Sequence, residues 1–304
     1  MHPQFTRTLV LVLAIFSLAA FSIRAADAPF DTTKIEQLTA LKGAWNEKEG
    51  VFKVTSPRTD VKVAVDRFAM PPFMGLTSWA AFTKGGKTEA MVMGDLVLFQ
   101  DEVNPVMSAA LENGLDVTAL HNHFFFDEPK VFFMHIGGEG SAEALATGVR
   151  KTLDAVKAVR TALPTPADHF VTPAIPEKSS ITPAPLETIF GTKLLAANGM
   201  AKATLGRTAK MTCGCDVGKD MGVNTWAAFA GSDEDAVVDG DFAVHEDELE
   251  PVLKSLRKSG INIVAIHHHM INETPRTLFL HYWGRGKAED LAKAVKSALG
   301  LLAP

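Results

Sequence analysis

At 304 residues the chain is long enough for about two domains of ordinary size. Hydrophobic residues at 47% and charged residues at 21% exclude a generally disordered chain. A formal charge of −5, with no basic field, argues against nucleic acid as a partner.

In chain order, residues 1–26 read as a secretory signal peptide. Arg7 precedes an apolar run from Thr8 to Ser22, and the small residues Ala25 and Ala26 follow. The run is shorter than the roughly 20 residues a membrane-spanning helix needs. The expectation is an exported protein, periplasmic or secreted, with no transmembrane span in the mature chain. No cysteine lies near the cleavage point, so no lipid is expected there.

Residues 30–163 form a first repeat. Gly50–Thr55, Val61–Phe68, Ser78–Thr83 and Glu89–Phe99 are β-branched or aromatic runs broken by Pro and Gly, and are predicted strands. Asp101 is placed as the cap of a helix through Leu111, with Gly114 past its end. Val117–Phe125 and Val131–Gly137 predict a hairpin around Asp127-Glu128-Pro129-Lys130. Ser141–Ala162 predicts a long amphipathic helix with Leu145, Val149, Leu153 and Val156 at helical spacing. Residues 164–185 hold six of the 16 prolines and read as an extended linker.

Residues 186–304 repeat the first pattern. His121, His123, Pro129, His135 and Gly140 recur as His267, His269, Pro275, His281 and Gly286 at a constant offset of 146. At the same offset Gly94-Asp95 matches Gly240-Asp241, Glu102 matches Glu248 and Pro105 matches Pro251. Trp79 and Trp226 correspond at 147, Arg58 and Arg207 at 149. The fold class expected is α+β: two tandem copies of one domain, each a mostly antiparallel sheet packed with two helices. The paired pattern of Gly-Asp, Asp-Glu-x-x-Pro, Ala-x-His-x-His and Phe-x-His resembles the LppY/LpqO family of bacterial exported proteins, over both repeats. That resemblance implies export and this domain. It implies no particular reaction.

The chemistry is expected in the hairpins. Pairing Phe125 with Val131 sets His121 opposite His135, and strand alternation puts His123 on the same face. Repeat 2 places His267, His269 and His281 alike. Leu120, Phe124, Phe132 and Met134 fall on the opposite face, as do Val264, Ile266, Met270, Leu278 and Leu280, forming a seat for the helices. Three neutral imidazoles from such a hairpin suit a divalent metal such as zinc, copper or iron. Asp95, Glu102, Asp241 and Glu248 are candidate supporting carboxylates. The alternative is a non-enzymatic envelope binding module whose histidines are structural. His268 points away from the trio.

Cys213 and Cys215 form a possible thiol pair, read either as a local disulfide or as ligands for a soft metal. Repeat 1 has no counterpart. Arg58 and Arg207 read as forks onto a buried carboxylate or loop carbonyls, with an anion contact as the sharper option. Trp79 and Trp226 read as core. No phosphate-cradle motif is complete, so no nucleotide is expected. Partners are an unidentified small ligand or envelope component.

Overall fold

The structure is a computed structural model describing residues 28–303 except 171 and 173. The expected signal segment lies outside the described residues. Repeat 1 contains α1 (Thr32–Thr39), β1 (Gly43–Asn46), β2 (Val51–Pro57), β3 (Thr77–Lys84), β4 (Ala90–Phe99), α2 (Gln100–Glu112), β5 (Asp116–His121), β6 (Val131–Gly140) and α3 (Ala142–Ala162). Repeat 2 contains α4 (Pro183–Phe190), β7 (Leu195–Ala197), β8 (Met200–Gly206), β9 (Asn224–Gly231), β10 (Ala236–His245), α5 (Leu249–Lys258), β11 (Asn262–His267), β12 (Thr277–Gly286) and α6 (Ala288–Leu299). The fold is α+β with the same strand order twice, as duplication demands.

The two sheets join. Their twelve strands run β1-β2-β3-β4-β6-β5-β11-β12-β10-β9-β8-β7, and the seam is the antiparallel β5–β11 contact at Leu120 and Ile266. Alternation then sorts the residues. Val92, Leu96 and Leu98 of β4 and Met134 and Ile136 of β6 lie in the core shared with the helices. On α5, Leu249, Val252, Leu253 and Leu256 recur at helical spacing and are buried against the sheet. All these side chains belong to one core spanning both repeats.

The opposite sheet face is largely open. Near one end of each repeat a short segment covers it. In repeat 1, Val63 and Leu76 pack on Val97, Phe99, Val131 and Phe133. In repeat 2, Ala209, Val217 and Val223 form a smaller cluster.

Several local expectations are corrected. Each repeat has a third, short helix at its start, α1 or α4, and α4 begins inside the proline-rich stretch. The run Val61–Phe68 is not one strand: Ala64–Val65 and Phe68–Ala69 form a small hairpin that adds Asp127–Glu128 as a third strand. Asp101 is not the cap of α2. Glu102 takes that role by accepting the Phe99 N–H at 2.8 Å, while Asp101 pairs with Arg160 from α3. Ser141 caps α3, accepting from Ala144 N at 3.2 Å.

Candidate metal centre

Each His-bearing strand carries an irregularity. Register shifts between Val117 and Ala119 in β5, and between Ile263 and Ala265 in β11. The connections that follow span 122–130 and 268–276, longer than the five-residue loop expected. The longer loops slide the pairing at the histidines by two residues, and each bulge shifts it by one more beyond Ala119 or Ala265. His121 lies opposite Phe133 and His135 opposite Ala119; His267 lies opposite Phe279 and His281 opposite Ala265. A two-residue slide preserves the face, so each trio still converges. The His121 and His135 rings stack diagonally at 5.2 Å, those of His267 and His281 at 4.8 Å.

The third histidine sits beyond its strand and is held by stacking. His123 lies 3.4 Å from Phe133 by ring centroids, and His269 lies 3.5 Å from Phe279. This brings Nε2 of His123 to 3.1 Å from Nε2 of His121, and Nε2 of His269 to 3.2 Å from Nε2 of His267. Two imidazole nitrogens bound about 2.05 Å from one tetrahedral zinc ion stand about 3.3 Å apart, so both pairs have the spacing of a shared ion.

Of the four carboxylates, two join the histidines. Asp95 is paired directly across from His135, and Asp241 across from His281. Asp241 Oδ2 lies 3.6 Å from His269 Nε2. Asp241, His267 and His269 each offer a ligand atom within 4.8 Å of the others, the one such trio among the described residues. Glu102 and Glu248 are elsewhere, held by arginines. Glu102 is fully buried and receives both Arg58 amino groups at 2.7 and 2.9 Å. Glu248 pairs with Arg207 and accepts the backbone N–H of His245 and Ala303, both at 2.7 Å. Burial works to raise the Glu248 pKa, but these donors outweigh it and hold it at about 2. The two arginines are thus structural forks, and no anion contact is needed to explain them.

The repeat-2 cluster is oriented from behind. Nδ1 of His269 faces the Gly222 carbonyl and Nδ1 of His281 faces the Gly240 carbonyl, each at 3.3 Å. A carbonyl can only accept, so each Nδ1 is the donor and each neutral ring keeps its lone pair on Nε2. Fixing the tautomer through the far nitrogen is how metal-ligating histidines are held.

His269 Nε2 then accepts from His267 Nε2–H. That leaves Nδ1 of His267 and Oδ1 of Asp241 buried without a hydrogen-bond partner. Burial pushes His267 down to about 4, with His281 and His269 adding to it. Burial also lifts Asp241 to about 6 against the pull of His281. The cluster resists protonation of His267 and ionisation of Asp241 together, which a bound cation reverses for the carboxylate. In repeat 1, burial raises Asp95 and lowers His121 and His123 in the same directions, and Oδ1 of Asp95 is likewise unpaired.

Other expectations shift. Trp79 and Trp226 are not core: they stand half-buried on the open face beside Asp95 and Asp241, under Lys53 and Lys202 at 4.1 and 4.0 Å. Phe124 and Met270 pack on the small open-face clusters and Val264 is exposed, because strand alternation ends at His121 and His267 and breaks at each bulge. Cys213 and Cys215 are exposed free thiols on a turn where Met211 N–H donates to the Cys215 carbonyl. Neither joins the trio of Asp241, His267 and His269. The carboxylate on the strand beside each His strand was legible as a repeated Gly-Asp; its pairing with histidine was not.

No curated protein matches this chain. Among solved structures, the crystal structure of a trimeric bacterial microcompartment shell protein, PduB, is similar at 11% identity, covering 85% of this chain and 89% of that one, with a TM-score of 0.22. Residues 33–155 and 184–301 each match the family described as Domain of Unknown Function (DUF1259). The chain therefore belongs to that family and carries its domain twice.

Proposed function

We propose that this is an exported protein that binds a divalent metal ion, zinc, copper or iron, on the open sheet face through His267, His269 and Asp241, with His281 alongside. The resemblance to the LppY/LpqO proteins and the N-terminal 26 residues support export. The carrying observation is the convergence of three ligand atoms within 4.8 Å. The orphaned Asp241 oxygen and the carbonyl-anchored imidazoles fit the same reading. With three protein ligands, a zinc-like ion keeps a fourth position for water or an organic ligand. The matching trio of repeat 1, with Asp95, is the weaker site.

Elemental analysis of protein purified without an affinity tag, followed by zinc titration of the metal-stripped chain, tests this. The expected result is one tight equivalent, with affinity falling by about 100-fold or more in a His267→Ala/His269→Ala double variant. Equal, weak binding by wild type and variant would overturn the metal reading and leave a binding module with structural histidines.

A further inference from the structure

Beside the repeat-2 cluster lies a cleft of about 490 Å³, within the size range of small-molecule sites. It opens where β5 turns away after His121, leaving the edge of β11 at Ile263 without a strand neighbour. Its apolar walls come from Trp283, Val264 and Phe132, and from Phe170 of the segment that links the repeats. His281 forms one boundary, so the cleft adjoins the proposed metal centre. Asp239, paired across from Trp283 in the next strand, is the single charged lining residue, and no hydrogen bond or ion pair engages its carboxylate among the described residues.

Repeat 1 lacks the two side chains that define this lining. At the offset of 146, Gly137 stands where Trp283 is and Met93 where Asp239 is. The aromatic wall and the carboxylate are additions to the second copy alone. Arg285, two residues beyond Trp283, is occupied by Asp235 at 2.8 and 2.9 Å and does not line this cleft.

From this geometry we infer that the cleft binds a small organic amine, with its apolar body between Phe170 and Trp283 and its ammonium group against Asp239. Aromatic faces and a free carboxylate both attract an organic cation, while an anion meets only Asp239 and finds no cation in the lining. A flat apolar body of phenyl size leaves room beside His281. The proposal deepens the metal reading, since His281 borders both sites, but it can fail separately.

The test uses phenethylamine, phenethyl alcohol and phenylacetate as cationic, neutral and anionic probes, titrated calorimetrically with and without zinc. Phenethylamine is expected to bind with Kd of about 0.1–1 mM, as its size allows, the alcohol more weakly and phenylacetate least. Asp239→Asn should weaken the amine about 10-fold and leave the alcohol unchanged. Trp283→Ala should weaken both, with a thermal unfolding scan confirming that the variant is folded. If none of the probes binds, or if phenylacetate binds as well as the amine, the inference is overturned. The two readings separate in the wild type, where amine binding without zinc binding sinks the metal site alone and zinc binding without amine binding sinks the cleft alone. The His267→Ala/His269→Ala protein, altered at no lining residue, should keep the amine and lose zinc.

Discussion

Asn104 in the first repeat and Glu250 in the second occupy matched positions on α2 and α5, and each reaches across to the other repeat. Asn104 satisfies both backbone groups of Ile263 on the unpaired edge of β11, accepting from its N–H at 2.7 Å and donating to its carbonyl at 3.1 Å. Glu250 accepts from Val117 N–H at 2.6 Å on the edge of β5, and its other oxygen is buried with no partner. Burial lifts Glu250 to about 7, Asp116 adds to this, and the Val117 N–H and Lys254 oppose it. An amide and a protonated carboxyl have the same donor–acceptor outline. One side of the repeat junction is therefore indifferent to pH, while the other asks for a proton.

The same contrast runs through the rest of the molecule. Repeat 2 anchors His269 and His281 on carbonyls and brings Asp241 into reach. Repeat 1 instead exposes Phe125 and Phe126 on its histidine loop, and Phe68 and Phe73 elsewhere. Duplication kept the scaffold and its buried arginine–glutamate pairs, and let the open face diverge.

The largest effect expected is on those pairs. Glu102 is fully buried and serves Arg58, Arg160 and the start of α2, so Glu102→Gln should cost about 3–4 kcal/mol in urea unfolding. Glu248, with Arg207 as its one arginine, should cost about 2 kcal/mol as Glu248→Gln. Equal losses would erase the distinction between the repeats at this site.

For zinc, the comparison predicts that the second site is the tighter by at least about tenfold, or about 1.4 kcal/mol. A His121→Ala/His123→Ala variant should retain the tight equivalent and lose only a weaker one. Loss of the tight equivalent in that variant would reverse the assignment.

Glu250→Gln sharpens the junction comparison. A carboxyl whose pKa rises from the ordinary 4.5 to about 7 on folding binds its proton more tightly in the native state, so its stabilising share is full below pH 4.5 and declines up to pH 7. Glutamine removes that decline. Allowing for partial solvent screening, the variant should be about 1 kcal/mol more stable than wild type at pH 8 and little different at pH 4.5. A pH-independent difference between the two proteins would contradict the protonated junction.

The smallest effect is expected at the thiols. Cys213→Ser/Cys215→Ser should change stability by less than about 0.5 kcal/mol, as exposed substitutions do, and leave zinc affinity where it was. A drop in zinc affinity would bring the Cys turn into the site.

Much of this architecture is written locally in the chain. The constant offset of 146 made the duplication visible, and two copies of one pattern must build the same strand order twice. Alternation along the hairpin strands placed His121 with His135, and His267 with His281, on one face, because side-chain period is a property of any strand. The forked role of Arg58 and Arg207 was legible as one of two readings for the same reason that buried arginines need partners.

What the tertiary structure decided is everything that depends on pairing between distant segments. The longer loops set a register two residues from the expected one at the histidines, the bulges at Val117 and Ile263 shift it by one more beyond them, and no local pattern encodes a bulge. Which carboxylates meet the histidines followed from β4 and β10 lying beside β6 and β12; Glu102 and Glu248 went to arginines that only the fold brings near. The union of two sheets at Leu120 and Ile266, and the cleft that Phe170 and Trp283 line beside His281, arise from docking one repeat on the other. Periodicity determines which way a side chain faces; register, and the packing of the two repeats, determine what it faces.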